Sequence, residues 1–114
     1  MVNKLSLRDI VANNSITVIK ITQEDIDEGI RQSCTKCPAA LAFQRTIDCE
    51  VDVMIEETFL FEKDEDGNYG LFITYHNDYK LRDFVAAFAR GDIVKPFEFM
   101  MMPVFWRRHP LSIG

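Results

Sequence analysis

The chain has 114 residues and a formal net charge of −5, with 13 basic and 18 acidic side chains. This length predicts one domain with a modest core, and the acidic balance argues against wrapping nucleic acid, because phosphate binding needs a basic surface. No stretch approaches the roughly 20 apolar residues of a membrane span. The three cysteines, with no secretory signal pattern at the N-terminus, favour free thiols in a reducing cytoplasm.

The first part of the chain predicts an extension, one strand and a short helix. Residues 1–14 are expected to form an N-terminal extension, and residues 15–21 are β-branched and apolar, which is typical of a strand. Thr22 suits the N-cap of the next helix, since Asp25 at the third helical position completes a variant of the capping box. Two isoleucines four residues apart are expected to form the buried side of this helix, Ile26 and Ile30.

The segment SCTKCPAALAF, residues 33–43, predicts a second helix. Proline is well tolerated at the first helical position, so the helix is expected to begin at Pro38, with Cys37 near the N-cap. The small and apolar residues that follow are compatible with a helix that ends near Ile47.

Three strands are expected next, because apolar side chains recur there with a period of two. Gly67, in the turn over residues 64–68, is expected at positive φ. The side chains that share one face of each strand are Val51, Val53 and Ile55, then Phe59 and Phe61, then Leu71, Ile73 and Tyr75.

The segment KLRDFVAAFARGD has the strongest helical pattern, with Gly91 as its C′ residue, and a last strand over KPFEFMMM is expected to follow. The order β-α-α-β-β-β-α-β predicts the α+β class, with one mainly antiparallel sheet of four to five strands and two to three helices on one face. The α+β domain is expected to span residues 15–102, followed by an aromatic and basic tail over residues 103–114.

The start of the second helix is the first candidate site. Free N–H groups at a helix N-terminus attract anions, and a lysine lies beside them, so an anion site is one interpretation. A reactive thiol at Cys37 is another, because a helix start lowers a thiol pKa. The third interpretation is purely structural, with Cys37 capping the helix while Cys34 and Cys49 pack as small apolar side chains. The residues of the candidate anion site are Lys36, Cys37, Pro38 and Ala39.

Metal binding is the weaker interpretation of the cysteines. Cys34, Cys37 and Cys49 supply three candidate ligands for zinc, with His76 or His109 as a fourth. The chain has no second Cys-x-x-Cys and no His-x-x-x-His, so the spacing is half of a zinc knuckle. No metal and no cofactor is therefore expected.

The C-terminal part of the chain offers a candidate contact surface. Residues 97–106 hold three phenylalanines, three methionines and the only tryptophan, and methionine, tryptophan and arginine suit adaptable interfaces. A tail folded back over its own core remains the alternative. The candidate partner-binding residues are Phe105, Trp106, Arg107 and Arg108.

The chain resembles a family of small, largely uncharacterised bacteriophage-type proteins. The matching parts are ITVIKITQEDIDEGI, CPAALAF and DFVAAFARGDIVKPFEF, which lie between residues 16 and 99. The family pattern contains Cys37 and Pro38 but not Cys34, which weighs against metal and redox chemistry. The N-terminal extension, the acidic hairpin and the tail after Met100 depart from the pattern, and the resemblance implies no particular activity.

The function that we expect from the sequence is therefore binding rather than catalysis. The phage-type resemblance implies an accessory protein that counters host defence in the cytoplasm of the infected cell. It would either sequester a small anionic nucleotide signal or mask a host defence protein, and we expect a homo-oligomer that engages no membrane. The alternatives are a thiol-redox or zinc-binding protein that uses the cysteines, and a structural phage component.

Overall fold

The computed structural model describes residues 3–109. The elements, in chain order, are β1 (Leu5–Ser6), α1 (Leu7–Asn13), β2 (Thr17–Ile21), α2 (Gln23–Glu28), α3 (Pro38–Thr46), β3 (Ile47–Asp48), β4 (Glu50–Val53), β5 (Glu57–Lys63), β6 (Tyr69–His76), α4 (Tyr79–Arg90), β7 (Phe97–Met101), a 3-10 turn (Pro103–Phe105) and β8 (Trp106–Arg108). The fold is α+β, as predicted, and the order from β2 to β7 follows the predicted one apart from the short β3.

The main sheet has four antiparallel strands in the order β4-β5-β6-β8. Alternation within each strand gives it one buried face, with Leu60 opposite Ile73 and Thr58 opposite Tyr75. At the β4 edge, the backbone N–H of Val53 donates to the carbonyl oxygen of Cys34 at 2.8 Å. The loop before α3 is thereby tied to this edge of the sheet.

Helix α3 lies at the centre of the core. Pro38 occupies its first turn, and the buried alanines that follow let β2 and β4 approach closely. Phe43, which has no exposed surface, contacts the rings of Tyr75 at 6.5 Å and Phe99 at 5.7 Å between centroids. The helix therefore joins the four-stranded sheet to β7.

Strands β2 and β7 form a separate antiparallel pair, in which Val18 lies opposite Met100 and Lys20 opposite Glu98. The predicted sheet thus differs from the observed one, since its fourth strand is β8 rather than β2 or β7. Local alternation finds strands, but it carries no information on which strands pair.

The predicted extension and tail both contact the domain. In the extension, Leu7 and Ile10 of α1 are buried in the same cluster as the rest of the core, and β1 pairs in parallel with β3. In the tail, β8 pairs with β6. Residues 1–2 and 110–114 lie outside the described residues.

Two expected burials are wrong for the same reason. Ile30 is 52% exposed because α2 ends at Glu28, whereas Asp25 is buried and Ile26 packs partly buried against the core. Ile55 is 44% exposed because β4 ends at Val53. In both cases the apolar pattern in the sequence continues beyond the last residue of the helix or strand.

Within residues 3–109, no helix is long and apolar enough to cross a membrane.

Candidate functional site

The start of α3 is the first candidate site from the sequence. Cys37 is the N-cap residue of α3, but its side chain makes no capping hydrogen bond. Cys37 is 8% exposed and Ala39 is fully buried, so the start of α3 is packed against the core rather than open to solvent. The structural interpretation is therefore only partly right, since Cys37 packs against the core without capping the helix and Cys34 is exposed.

Burial decides the chemistry of the Cys37 thiol. Removal from water raises the pKa of Cys37, and the nearby backbone N–H groups of Ala40 and Ala39 offset that effect only in part. A nucleophilic cysteine requires the opposite shift, toward a thiolate at neutral pH. Cys37 is therefore a protonated, packed thiol rather than an activated one.

An apolar groove opens beside this helix start, between α3 and α4. Its cavity volume is about 170 Å³, and we call it the α3–α4 groove. Two exposed side chains, Met54 and Ile55, stand in the β4–β5 connection at its wall. The other lining residues come from the loop before α3, the α3 start, the end of β4 and one face of α4: Gln32, Ser33, Cys34, Cys37, Pro38, Ala39, Val53, Phe84, Val85, Phe88 and Ala89.

Asn77 builds the wall of the groove at the β4–β5 connection. Its side-chain amide donates to the carbonyl oxygens of Met54 and Ile55, both at 2.9 Å, and its oxygen accepts from the hydroxyl of Thr58 at 2.8 Å. Asn77 is 8% exposed, so these bonds replace water for all three groups.

Three of the four predicted anion-site residues, Cys37, Pro38 and Ala39, line this groove. Lys36 does not line it and is exposed on the loop, with its backbone N–H bonded to Ser33 Oγ. Within the part of the chain that the structure describes, no lysine or arginine lines the groove. Anion binding at this helix start stays a prediction.

The three cysteines do not come together as a metal site. Cys34 is exposed, with its sulfur 3.3 Å from the sulfur of Met54, whereas Cys49 is half-buried beyond α3, and its pKa is raised to about 12 by burial and nearby acids. Across residues 3–109, no group of three or more histidine, cysteine, aspartate or glutamate side chains is arranged to hold a metal ion.

The predicted contact surface in the tail is divided between two sides of the sheet. Trp106 packs partly against the core, in register with Tyr75, whereas Arg107 lies opposite Thr74 on the other side. Phe105 is 40% exposed, and Arg108 is exposed at the sheet edge. Strand alternation in β8 separates the tryptophan from the arginine next to it.

Sequence reasoning missed an aromatic surface on the side of the four-stranded sheet that faces away from α3, which we call the outer sheet face. Phe72 is its centre, with the Phe59 ring at 6.0 Å, the Phe61 ring stacked at 5.6 Å and the His109 ring edge-on at 5.0 Å. The alternation of Phe59 and Phe61 with Leu60 was the available signal. The sequence alone does not show which side meets the core.

Comparisons with protein-family models, with curated proteins and with solved structures gave no match. The likeness to bacteriophage-type proteins therefore remains a resemblance in sequence motifs.

Proposed function

We propose that this chain is a non-enzymatic binding protein that masks a partner protein by receiving one of its apolar side chains in the α3–α4 groove. The observation that carries the proposal is the groove itself, which is lined almost wholly by apolar groups and flanked by exposed Met54 and Ile55. Interface anchors are typically large side chains that fill such pockets.

The size of the groove favours a side chain over a free nucleotide. Sites for small molecules usually enclose roughly 300–1,000 Å³. The α3–α4 groove, at about 170 Å³, is smaller than that range. A single leucine-sized or phenylalanine-sized side chain is the better match.

The chemistry of the groove wall also favours a protein side chain over a nucleotide. A nucleotide phosphate needs cationic or N–H donors, but among the described residues no lysine or arginine lines the groove, and Ala39 and Ala40 at the start of α3 are fully buried. Met54, at the opening, has the flexible thioether that adapts to different apolar shapes. This wall suits the masking mode better than sequestration of a nucleotide signal.

The resemblance to bacteriophage-type proteins supplies the partner class of the proposal. The masked protein would be a component of host defence in the cytoplasm of the infected cell. Within this proposal the chain acts by occupying a surface of its partner, and it needs neither a cofactor nor a catalytic group.

Apolar probes test the groove directly. Titration of the 15N-labelled protein with N-acetyl-phenylalaninamide and N-acetyl-leucinamide, followed by NMR, should shift the backbone amide signals of residues 34–39 and 85–89 in a saturable way. Ala89→Leu should abolish these shifts, because the added side chain occupies the groove. Ala86→Leu is the matched control, since Ala86 lies on the same helix but does not line the groove.

Nucleotide probes test the competing mode in the same experiment. Cyclic dinucleotides and ADP-ribose should leave the amide signals of residues 34–39 unchanged. Saturable shifts of those signals by a nucleotide, or no shift by either apolar probe, would contradict the masking proposal.

A further inference from the structure

The outer sheet face carries opposite charges at the two ends of its central rows of cross-strand neighbours, while Glu57 and Lys63 also lie on this side, on the middle strand β5. Two central rows of directly opposite residues, which we call rungs, cross all four strands. Each rung begins with an acid on β4 and ends with Arg107 or His109 at the β8 side. Aromatic rings fill most of the middle. The rungs are Asp52–Phe59–Thr74–Arg107 and Glu50–Phe61–Phe72–His109.

The acidic and basic ends of a rung are too far apart to pair within one chain. Asp52 and Arg107 are separated by β5 and β6, which places their strands about 14 Å apart at the usual strand spacing. Among the residues that the structure describes, neither has an ion-pair partner. The face therefore presents unpaired opposite charges on either side of a central aromatic cluster.

We infer that the outer sheet face binds a second copy of this chain, face to face, about a twofold axis that runs parallel to the strands. This axis exchanges the two edges of the sheet, so that the acidic β4 edge of one copy faces the basic β8 edge of the other. A twofold axis across the strands would instead place acid against acid and arginine against arginine. Charge complementarity thus selects one of the two face-to-face arrangements.

The contacts follow from this symmetry. Each dimer contains two pairs between Asp52 of one protomer and Arg107 of its partner, on either side of the stacked phenylalanines. Two sheets that pack face to face lie roughly 10 Å apart, a gap that facing aromatic side chains fill and long edge side chains can cross. Phe59 and Phe72 are half-buried in the single chain, and the dimer would cover their remaining surface.

Single-stranded nucleic acid is the other occupant that an aromatic sheet face can attract, since bases stack on such rings. The charges of this face do not favour it. Glu50, Asp52 and Glu57 share the face with the rings and repel phosphates, and Glu57 lies within 3.8 Å of His76. A second copy of the chain, in contrast, would pair with both the acidic and the basic side chains of this face.

Charge reversal tests the inference by sedimentation equilibrium. The wild-type chain should sediment as a dimer, whereas Asp52→Arg and Arg107→Asp should each sediment as monomers, because like charges then face each other. An equimolar mixture of the two variants should restore a dimer, since every reversed residue finds an opposite charge on the other variant. The double variant should dimerise with itself.

Glu65→Arg is the matched control. Glu65 lies in the hairpin turn outside the two rungs, so the same change of charge should leave the dimer intact. The rescue in the mixture also shows that each variant is folded, because an unfolded chain would not dimerise.

Three results would overturn the inference. They are a monomeric wild-type chain at several hundred micromolar, a dimer that survives both single reversals, and variants that stay monomeric when mixed. Binding of oligothymidylate that shifts the NMR signals of Phe59 and Phe72 would assign the face to nucleic acid instead. The α3–α4 groove lies elsewhere on the domain, so these results leave the masking proposal to its own test.

Discussion

The guanidinium group of Arg45 binds both carboxylate oxygens of Asp25, with Nη1 at 2.5 Å from Oδ1 and Nη2 at 2.8 Å from Oδ2. Asp25 also completes the capping box of α2, since its carboxylate accepts from the backbone N–H of Thr22. Arg45 donates in addition to the carbonyl oxygen of Lys20 at 2.7 Å. One pair of residues thus connects α2, α3 and β2.

Arg45→Met should destabilise the protein by about 2 kcal/mol, because the Asp25 carboxylate is left 3% exposed without its cation. Chemical denaturation at pH 7 measures the change in the free energy of unfolding. Arg90→Met is the control, since the pair between Arg90 and Asp92 is exposed and worth well under about 1 kcal/mol. Equal losses in the two variants would contradict the structural role of Arg45.

The same carboxylate predicts a pH dependence of stability. Burial raises the pKa of Asp25, but hydrogen bonds from Arg45 and Thr22 outweigh burial and hold that pKa below its usual value. The contribution of Asp25 to stability is therefore complete above its unfolded pKa of about 3.9 and is lost as the pH falls through the folded value.

Asp25→Asn should reveal this loss. The difference in the free energy of unfolding between wild type and Asp25→Asn should be constant from pH 7 to pH 5 and should shrink below pH 4. Denaturation curves at each pH measure it. A difference that grows on acidification would show that Asp25 is stabilised in its protonated form.

Gly29 is required because Pro38 packs directly on it. A Cβ at position 29 would lie 2.5 Å from Cδ of Pro38 and 2.8 Å from the carbonyl oxygen of Asp25. Gly29→Ala should therefore cost about 2 kcal/mol through overpacking. At Gly67 the space is open but φ is +84°, so Gly67→Ala should cost only about 1 kcal/mol. Thermal unfolding compares the stability losses of the two variants. A smaller loss for Gly29→Ala than for Gly67→Ala would contradict the close contact with Pro38.

The thiols should differ in reactivity in the folded protein. Timed alkylation with iodoacetamide at pH 8, read by mass spectrometry, should label exposed Cys34 first. Cys37 and Cys49 should react slowly, because burial raises the pKa of both. Cys34→Ser should remove the fast phase. Fast labelling of Cys37 would instead support the thiol-enzyme alternative.

Much of the fold was accessible from local sequence signals. The capping box of Thr22 and Asp25, the position of Pro38 in the first turn of α3, the positive φ of Gly67 and the position of Gly91 at the end of α4 are all as predicted. Each depends on residues within one turn of the chain, where steric and hydrogen-bonding preferences act directly. Alternation likewise identified the buried side of β6.

The remaining features depend on contacts between distant parts of the chain. Arg45 and Asp25 are 20 residues apart, and β8 reaches β6 only after α4 and β7. No spacing rule pairs these residues, because their separation along the chain is set by the topology. The α3–α4 groove and the outer sheet face were missed for the same reason, although three residues of the predicted anion site, Cys37, Pro38 and Ala39, line the groove.

The hydrogen bond from Val53 to the carbonyl oxygen of Cys34 also limits how this protein can aggregate. It occupies an outward N–H group of β4, and the opposite edge of the sheet ends in the short, doubly basic strand β8. Blocked, short and charged edges resist the strand addition that leads to fibres. The loop before α3 is therefore expected to block strand addition at the β4 edge. If this loop detaches from β4, fibres should form before the helix content of the protein falls.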